Sequence, residues 1–247
     1  MQDGDLSVID QAIVPFDLVL NVNRKIDVLN IGNEKNTVVV VDDVFENPQL
    51  LNDFAVSGSE FSKKDANFYP GLKKGLPAFY GELVLEALEQ IVRESFNVPT
   101  AQLLIARSDL SLASFPQKQL HPLQCIPHFD TNTVKQFATL VYLSDPKLGG
   151  TGFYRHRSTG FEAVTEDRVS EYGNLLKQEG RVRGNVQQRY INGDSPLFER
   201  IASVEARYNR LVLYRSCLLH SGNIEQPESL TDDPRTGRLT SNAFICY

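Results

Sequence analysis

Residues 136–143 have the sequence QFATLVYL, a largely apolar run that is rich in β-branched and aromatic side chains. A run of this length and composition, bounded by turn-forming residues, is typical of a buried β-strand. Clusters of Gly, Pro, Asn and Asp separate it from its neighbours, as turns separate the strands of an all-β fold. Similar strand-like runs are residues 103–115, 152–157, 204–219 and 238–247. The chain after Pro99 is therefore predicted to be rich in β-structure.

The first hundred residues predict helices and strands that support this β-rich part. Residues 37–41 (TVVVV) have the composition of a buried strand. Asn47 is suited to cap a helix that has Pro48 in its first turn, and that helix is predicted to end near Val56. Residues 79–96 carry apolar side chains at helical spacing and predict a longer helix.

Four further segments are predicted with weaker signals. Residues 13–22 are apolar with one interrupting proline and predict an edge strand. Residues 65–77 contain prolines, glycines and aromatic side chains, which predicts a loop. Residues 165–179 start with a threonine cap and acidic side chains and predict a helical insertion. A shorter helix is predicted near residues 196–202.

The length of 247 residues and the hydrophobic content of 41% suit one sizeable core. We therefore expect a single domain over residues 1–247. In this domain, residues 1–100 would supply N-terminal strands and supporting helices, and residues 101–247 a catalytic β-rich part with a helical insertion near 165–202. The predicted fold class is mainly β with flanking helices, arranged as a jelly-roll closed on itself.

Composition narrows the classes of function. The chain has 25 Lys and Arg against 31 Asp and Glu, a formal charge of −6, which argues against a sequence-independent nucleic-acid binder. Three cysteines without a CxxC pair argue against a disulfide framework or a structural zinc site. The start MQDGDLSVID does not resemble a signal peptide, and no apolar run is long enough to span a membrane. We expect a soluble cytoplasmic protein with no membrane partner.

Two histidines and one aspartate are the candidate metal ligands. His128 and Asp130 are two positions apart in the segment IPHFD, and residues two apart in a strand point to the same face. Two imidazoles and one carboxylate form a facial set that leaves three positions of an iron(II) octahedron open. His220, at the end of a distant apolar run, is the candidate for the third ligand. The pair His-x-Asp is a weak signal alone: His128 could be a solvated loop histidine, and His220 a core histidine.

Residues 126–247 resemble the prolyl-hydroxylase-like branch of the 2-oxoglutarate- and iron(II)-dependent dioxygenases. A weaker likeness, at residues 38–48, is to the strand, acidic turn and helix that precede the catalytic barrel in those hydroxylases. The motifs that carry the main resemblance are PHFD (127–130), TLVYLS (139–144) followed by Gly149-Gly150, the run 209–220, and RLTSNAFI (238–245).

The resemblance implies a double-stranded β-helix and a set of functional residues. His128, Asp130 and His220 would hold iron(II), and Arg238 would bind the distal carboxylate of 2-oxoglutarate. Tyr142 occupies the position of a tyrosine that helps to hold this co-substrate, although a tyrosine in such a strand is also an ordinary core residue. The implied activity is hydroxylation of an unidentified small molecule or peptide, with O2 consumed and succinate and CO2 released.

The position of the basic residue departs from the family pattern. Arg238 follows His220 by 18 positions (238 − 220), which is further than the usual spacing, and Arg235 is a competing candidate. We prefer Arg238 because it opens a strand-like run, whereas Arg235 lies in the turn-like segment DDPRTG. The alternative for Arg238 is an arginine at a strand start that faces water.

Two further features leave alternatives open. Arg155 and Arg157, in the segment YRHR, are candidates to recognise an anionic substrate, but a half-solvated strand is the preferred interpretation. Residues 68–74, with two aromatic side chains and two lysines, are a candidate lid. The rival functions are a cupin-like binding or scaffold module, and a cupin metalloenzyme that does not use 2-oxoglutarate. The sequence also leaves a homodimer open.

Overall fold

The computed structural model describes residues 17–63, 69–98 and 102–247. The strands are β1 (Lys25–Ile31), β2 (Asn36–Asp42), β3 (Gly71–Gly75), β4 (Leu104–Ala113), β5 (Gln136–Tyr142), β6 (Thr151–His156), β7 (Phe198–Val204), β8 (Leu211–Arg215), β9 (His220–Gly222) and β10 (Arg238–Cys246). The helices are α1 (Gln49–Val56), α2 (Ala78–Phe96) and α3 (Val169–Glu179).

The strands form two antiparallel sheets. The larger sheet has the order β1-β2-β8-β5-β10-β4-β3, and the smaller has the order β7-β6-β9. An isolated antiparallel bridge pairs His128 with His220, so the segment around His128 lies beside β9 in the smaller sheet. Strands that are distant in sequence are neighbours in both sheets, which is the pattern of a jelly-roll. The predicted fold class, mainly β with flanking helices in a double-stranded β-helix, is confirmed.

The alternation of side chains along β2 shows how the layers pack. Val38 and Val40 belong to the core between the two sheets, which also contains Phe153 of β6. Val39 and Val41 point to the opposite face and pack in the core that contains residues of α1 and α2. Because successive side chains of a strand point to opposite faces, a strand with a layer on each side must be apolar throughout. This requirement explains the run TVVVV.

Several predicted elements occur where the sequence placed them. The predicted helices near residues 48–56 and 79–96 are α1 and α2, and the predicted strand at 37–41 is the centre of β2. The helical insertion begins at Val169, four residues later than predicted (169 − 165), and ends at Glu179 as predicted. Within the run 204–219, only Leu211–Arg215 is a continuous strand.

Three predictions were wrong or incomplete. Of the predicted loop 65–77, residues 65–68 lie outside the described residues, and the remainder contains β3, which pairs with β4 over its whole length. The predicted helix near 196–202 is wrong, because Phe198–Val204 forms β7 and pairs with β6. Of the predicted strand 13–22, residues 13–16 lie outside the described residues, and the remainder contains one isolated pair, Leu20 with Phe45.

Strand β1, at one edge of the larger sheet, was not predicted from the sequence. Its residues from Lys25 to Asn30 are exposed, so it lacks the apolar pattern of the buried strands. Pairing with β2 through the hairpin holds it in place. In the described part of the chain, no helix is both long and apolar enough to cross a membrane.

Candidate metal centre and its cavity

The structure brings His128, Asp130 and His220 together. One ligating atom from each residue lies within 4.8 Å of the other two. His128 Nε2 is 3.9 Å from Asp130 Oδ1, and His220 Nε2 is 3.8 Å from Asp130 Oδ2. The three side chains therefore present two imidazole nitrogens and a carboxylate to one point in space.

Main-chain pairing produces this arrangement. His128 N–H donates to His220 O at 2.9 Å, and His220 N–H donates to His128 O at 2.8 Å. Directly opposed residues of an antiparallel pair have their side chains on the same face of the sheet. Asp130 N–H donates to Ser216 O at 2.8 Å, which fixes the carboxylate two residues beyond His128. Main-chain pairing at the smaller sheet thus brings the His-x-Asp segment next to the distant histidine.

A hydrogen bond orients the imidazole of His220. Its Nδ1 lies 2.9 Å from the carbonyl oxygen of Leu218. Since a carbonyl oxygen can only accept, Nδ1 carries the hydrogen and Nε2 keeps its lone pair. Nε2 is the atom that faces Asp130. This is the pattern by which metal-binding histidines are held in one tautomer.

The surroundings keep His128 neutral. Its side chain is 53% exposed, and this surface faces the cavity between the sheets. Burial within these walls lowers the pKa of His128 well below its usual value, and the nearby His220 and Lys73 act in the same direction. Burial raises the pKa of Asp130, while the charges of His220, Lys73 and Arg107 oppose that rise. A neutral imidazole is the form that binds a metal.

His128 and Asp130 line a cavity of about 820 Å³, and His220 lies beside them at its wall. Its walls combine apolar side chains with a few charged and hydroxyl groups, as is typical of small-molecule sites. The apolar part includes Leu123, Ile126, Phe129, Leu176 and Phe244, and the polar part includes Tyr69, Lys73, Arg107, Tyr190, Ser221 and Arg238.

Arg238 is the first residue of β10 and lines this cavity. Its Nε donates to Gly149 O at 3.1 Å and its Nη2 to Gly150 O at 2.8 Å. Tyr69 also contacts the guanidinium; burial raises the pKa of the Tyr69 hydroxyl to about 12, and the charge of Arg238 opposes that rise. A Cβ atom on Gly222 would lie 3.4 Å from Arg238 Nη2. The guanidinium is therefore held at a fixed position beside the cavity.

The two glycines that accept these hydrogen bonds occupy a crowded turn. Gly149 has φ +97°, and a Cβ atom there would lie 1.7 Å from Asn223 O. A Cβ atom on Gly150 would lie 2.0 Å from Val204 O. Only glycine fits such an approach of one main chain to another. The Gly-Gly pair thus sets the position of the carbonyls that hold Arg238.

A family model described as "Family of unknown function (DUF6445)" matches residues 22–245. The chain belongs to this family. No curated protein matches the sequence.

Three of the solved structures that are similar to this chain are the following. HygX from Streptomyces hygroscopicus with iron bound is 11% identical, with 86% of this chain and 83% of that chain covered and a TM-score of 0.49. The α-ketoglutarate-dependent epimerase SnoN from nogalamycin biosynthesis is 11% identical, with 86% and 78% covered and a TM-score of 0.47. An N-substituted L-amino acid dioxygenase from Burkholderia ambifaria is 11% identical, with 90% and 94% covered and a TM-score of 0.40. The fold of this DUF6445 member is assigned from its own strand pairing.

Two other predicted co-substrate residues do not line the cavity formed by the described residues. Arg235 has a side chain that is 67% exposed, and its Nη1 lies 3.4 Å from Asp233 Oδ1. Tyr142 is buried between the sheets, where its hydroxyl lies 2.7 Å from Thr151 Oγ1. Their roles in this DUF6445 chain stay predictions from the resemblance.

Arg155 and Arg157 also lie away from the cavity wall. Arg155 forms ion pairs with the buried Glu162 at 2.6 Å and with Glu199 at 2.8 Å. Arg157 pairs with Asp194 at 2.9 Å. Their positions agree with the preferred interpretation of a half-solvated strand.

The sequence analysis missed Arg107 and gave Lys73 only a general place in a lid. Both line the cavity, on β4 and β3 respectively. The available signal was the pair Arg107 and Asp109, two charged residues two positions apart within a predicted strand. Of the candidate lid, Phe68 lies outside the described residues, Tyr69 lines the cavity, and residues from Gly71 onward belong to β3.

Proposed function

We propose that this protein is an iron(II)- and 2-oxoglutarate-dependent dioxygenase that hydroxylates an organic substrate and releases succinate and CO2. The observation that carries the proposal is the convergence of His128, Asp130 and His220 beside a cavity that Arg238 also lines. A metal-binding face and a fixed guanidinium are the two features that this chemistry requires of a protein.

The donor set fits iron(II). Two imidazole nitrogens and one carboxylate oxygen on one face leave three coordination positions for other ligands. The bond from His220 Nδ1 to Leu218 O supplies the outer support that such a ligand needs. When bound, the metal together with 2-oxoglutarate and O2 supplies the oxidising chemistry, which no side chain can provide.

Arg238 is proposed to bind the distal carboxylate of 2-oxoglutarate. A guanidinium has five N–H donors, and the carbonyls of Gly149 and Gly150 accept from two of its nitrogens. These bonds fix the plane of the group, so that remaining donors can form charge-assisted bonds to a carboxylate. Tyr69, which contacts Arg238, is placed to assist.

The other walls of the cavity would exclude water and hold the substrate. Ile126, Phe129 and Leu176 contribute an apolar surface beside the proposed metal ligands. Removal of water strengthens the electrostatic interactions within such a site and suppresses side reactions. The prolyl-hydroxylase-like branch and a peptide substrate stay predictions from the sequence.

The test is anaerobic addition of iron(II) and then 2-oxoglutarate to the purified protein. We expect one iron per chain and a visible charge-transfer band, followed by succinate release when air is admitted. A scaffold module would bind no stoichiometric iron. A cupin metalloenzyme that uses another co-substrate would bind iron but give neither the band nor succinate.

A further inference from the structure

Two cations line the cavity in addition to Arg238. Arg107 Nε lies 2.9 Å from Asp109 Oδ2, and Lys73 Nζ lies 3.8 Å from the same oxygen. Asp109 is buried, with a side chain that is 2% exposed, whereas the side chain of Arg107 is 51% exposed. One carboxylate therefore faces two positive groups, and the more accessible of these is Arg107.

Arg107 lies on the same face of β4 as Ala113, which also lines the cavity, because pairing with β10 is regular from Arg107 to Ala113. Phe244 of β10 pairs with Arg107, but the next residue, Ile245, pairs with Ile105, so Ala106 is an extra residue in β4. Ile105 packs with the core on the helix side, whereas Ala106 and Arg107 both line the cavity. A regular strand would place Ile105 and Arg107 on the same face. The bulge therefore turns Ile105 away from the cavity, whereas Arg107 keeps the direction set by the regular pairing.

Neighbouring side chains hold the guanidinium of Arg107 in place. Arg107 Cζ lies 4.9 Å from the ring centroid of Phe244, its pairing partner across the strands. Stacking on the ring and the ion pair with Asp109 restrict the side chain, although half of it remains accessible. A restrained, accessible guanidinium in a largely apolar cavity is suited to binding a carboxylate.

The charges in the cavity indicate what Arg107 binds. In the proposed complex, Asp130 and the two carboxylates of 2-oxoglutarate balance the metal ion and Arg238. Lys73, Arg107 and Asp109 then leave one net positive charge, which favours a ligand with one negative charge.

We propose that Arg107, assisted by Lys73, binds a carboxylate of the primary substrate, and that this substrate is a monoanionic organic acid with an apolar body. The apolar body would contact Ile126, Phe129 and Leu176. The inference rests on the proposed function, in which Arg238 is occupied by 2-oxoglutarate. It assigns to Arg107 the recognition of an anionic substrate, a role for which Arg155 and Arg157 were candidates in the sequence analysis.

The experiment measures binding to protein that is loaded with iron(II) and 2-oxoglutarate in the absence of oxygen. The probes are hydrocinnamate and hexanoate, each compared by titration calorimetry with its uncharged amide. We expect the acids to bind the unaltered protein at least about tenfold more tightly than the amides, since charge-assisted bonds to a partly enclosed guanidinium stabilise such complexes.

Substitutions identify the residue that causes the preference for acids over amides. Arg107→Gln should bring acid and amide to equal affinity, and Arg107→Lys should keep an intermediate preference. The matched control is Arg157→Gln, which removes another half-exposed arginine that pairs with a carboxylate. The control should keep the full preference.

Three results would overturn the proposal: acids that bind no more tightly than amides, a preference that survives in Arg107→Gln, or no binding of any probe to the unaltered protein. Comparison of acid with amide in the unaltered protein decides the question even where a variant folds poorly. The charge-transfer band with 2-oxoglutarate shows whether a negative result contradicts the role of Arg107 or the proposed function itself. A band without an acid preference contradicts the role of Arg107 alone, and loss of the band contradicts the proposed function.

Discussion

His128 and His220 exchange both of their main-chain hydrogen bonds, at 2.9 and 2.8 Å, although 92 positions of the chain (220 − 128) separate them. These bonds use only the main chain. The side chains of the proposed metal face can therefore be changed without removing the pairing that brings them together.

The first prediction concerns the metal face. His128→Ala and Asp130→Ala should lose bound iron and reduce succinate release to background, while the circular dichroism spectrum stays that of the unaltered protein. The control is Asp194→Ala, which removes an exposed carboxylate of the pair with Arg157 and should retain iron. Full iron content and turnover in either of the first two variants would refute the ligand assignment.

The second prediction separates the two candidate arginines. Arg238→Ala should raise the KM for 2-oxoglutarate by about a hundredfold or more, because about 3 kcal/mol of charge-assisted bonding is removed. Arg235→Ala should change this KM by less than about twofold, since its exposed ion pair with Asp233 contributes little. Steady-state succinate assays measure both values. If Arg235→Ala raised the KM more than Arg238→Ala did, Arg235 would be the residue that binds 2-oxoglutarate.

The third prediction concerns the turn that holds Arg238. Gly150→Ala would place a Cβ atom 2.0 Å from Val204 O, so the main chain must shift. We expect a loss of about 1–3 kcal/mol in the free energy of unfolding, the usual effect of overpacking, together with weaker binding of 2-oxoglutarate. Gly173→Ala in α3 is the control, because no atom lies within 4 Å of its added methyl group. That change should stabilise the protein by about 0.5–1 kcal/mol, as alanine does in a helix interior. Equal melting curves for the two variants would contradict the expected crowding.

The fourth prediction concerns Glu162, whose side chain is fully buried. Its carboxylate accepts from Arg155 and from the main-chain N–H groups of Asn33 and Glu34, which ties the β1–β2 hairpin to β6. Glu162→Gln should lower the free energy of unfolding by about 3–5 kcal/mol, because the buried carboxylate that pairs with Arg155 is removed from the network. Glu199→Gln removes the more exposed partner of the same arginine and should cost less than about 1 kcal/mol. Urea titration of both variants gives the comparison, and similar losses would show that burial is not the deciding factor.

The fifth prediction concerns acid stability. Hydrogen bonds and charge from Arg210, followed by the charge of Arg207, hold the pKa of Asp42 below its usual value, against the opposing effect of burial. A carboxyl whose pKa is lower in the folded state contributes stability above its unfolded pKa, and this contribution is lost as the pH falls through the folded value. Asp42→Asn should therefore be less stable than the unaltered protein at neutral pH and approach it below about pH 4. A stability difference that stays constant from pH 7 to pH 3 would contradict this assignment.

The sequence predicted the elements whose side chains are buried on a regular pattern. The run TVVVV and the helical spacing of residues 79–96 are fixed by the layers that cover them, so β2 and α2 were found. The segment GLKKG of β3 has no such pattern, because main-chain pairing with β4 decides its conformation. Its Lys74 is buried, where its Nζ donates to Phe54 O at 2.6 Å near the end of α1. A lysine that serves a helix end cannot be recognised from local sequence.

The candidate site divides in the same way. His-x-Asp and a distant histidine are a chemical pattern that the sequence displays, and the fold brings these side chains together. Arg107 was missed because the sequence of β4 does not show that the face it shares with Ala113 lines a cavity. Which face of a strand lines a cavity depends on the distant segments that surround it. Compartment and oligomeric state stay predictions.

The extra residue at Ala106 has a consequence for how this scaffold can diversify. Deletion of that residue would straighten β4 and remove Ala106 from the cavity wall, yet His128 and His220 are carried by other segments and would keep their places. Changes in chain length at this position thus offer a route to new ligands that leaves the proposed metal face intact. The shape of the cavity and the proposed metal site would evolve independently of each other.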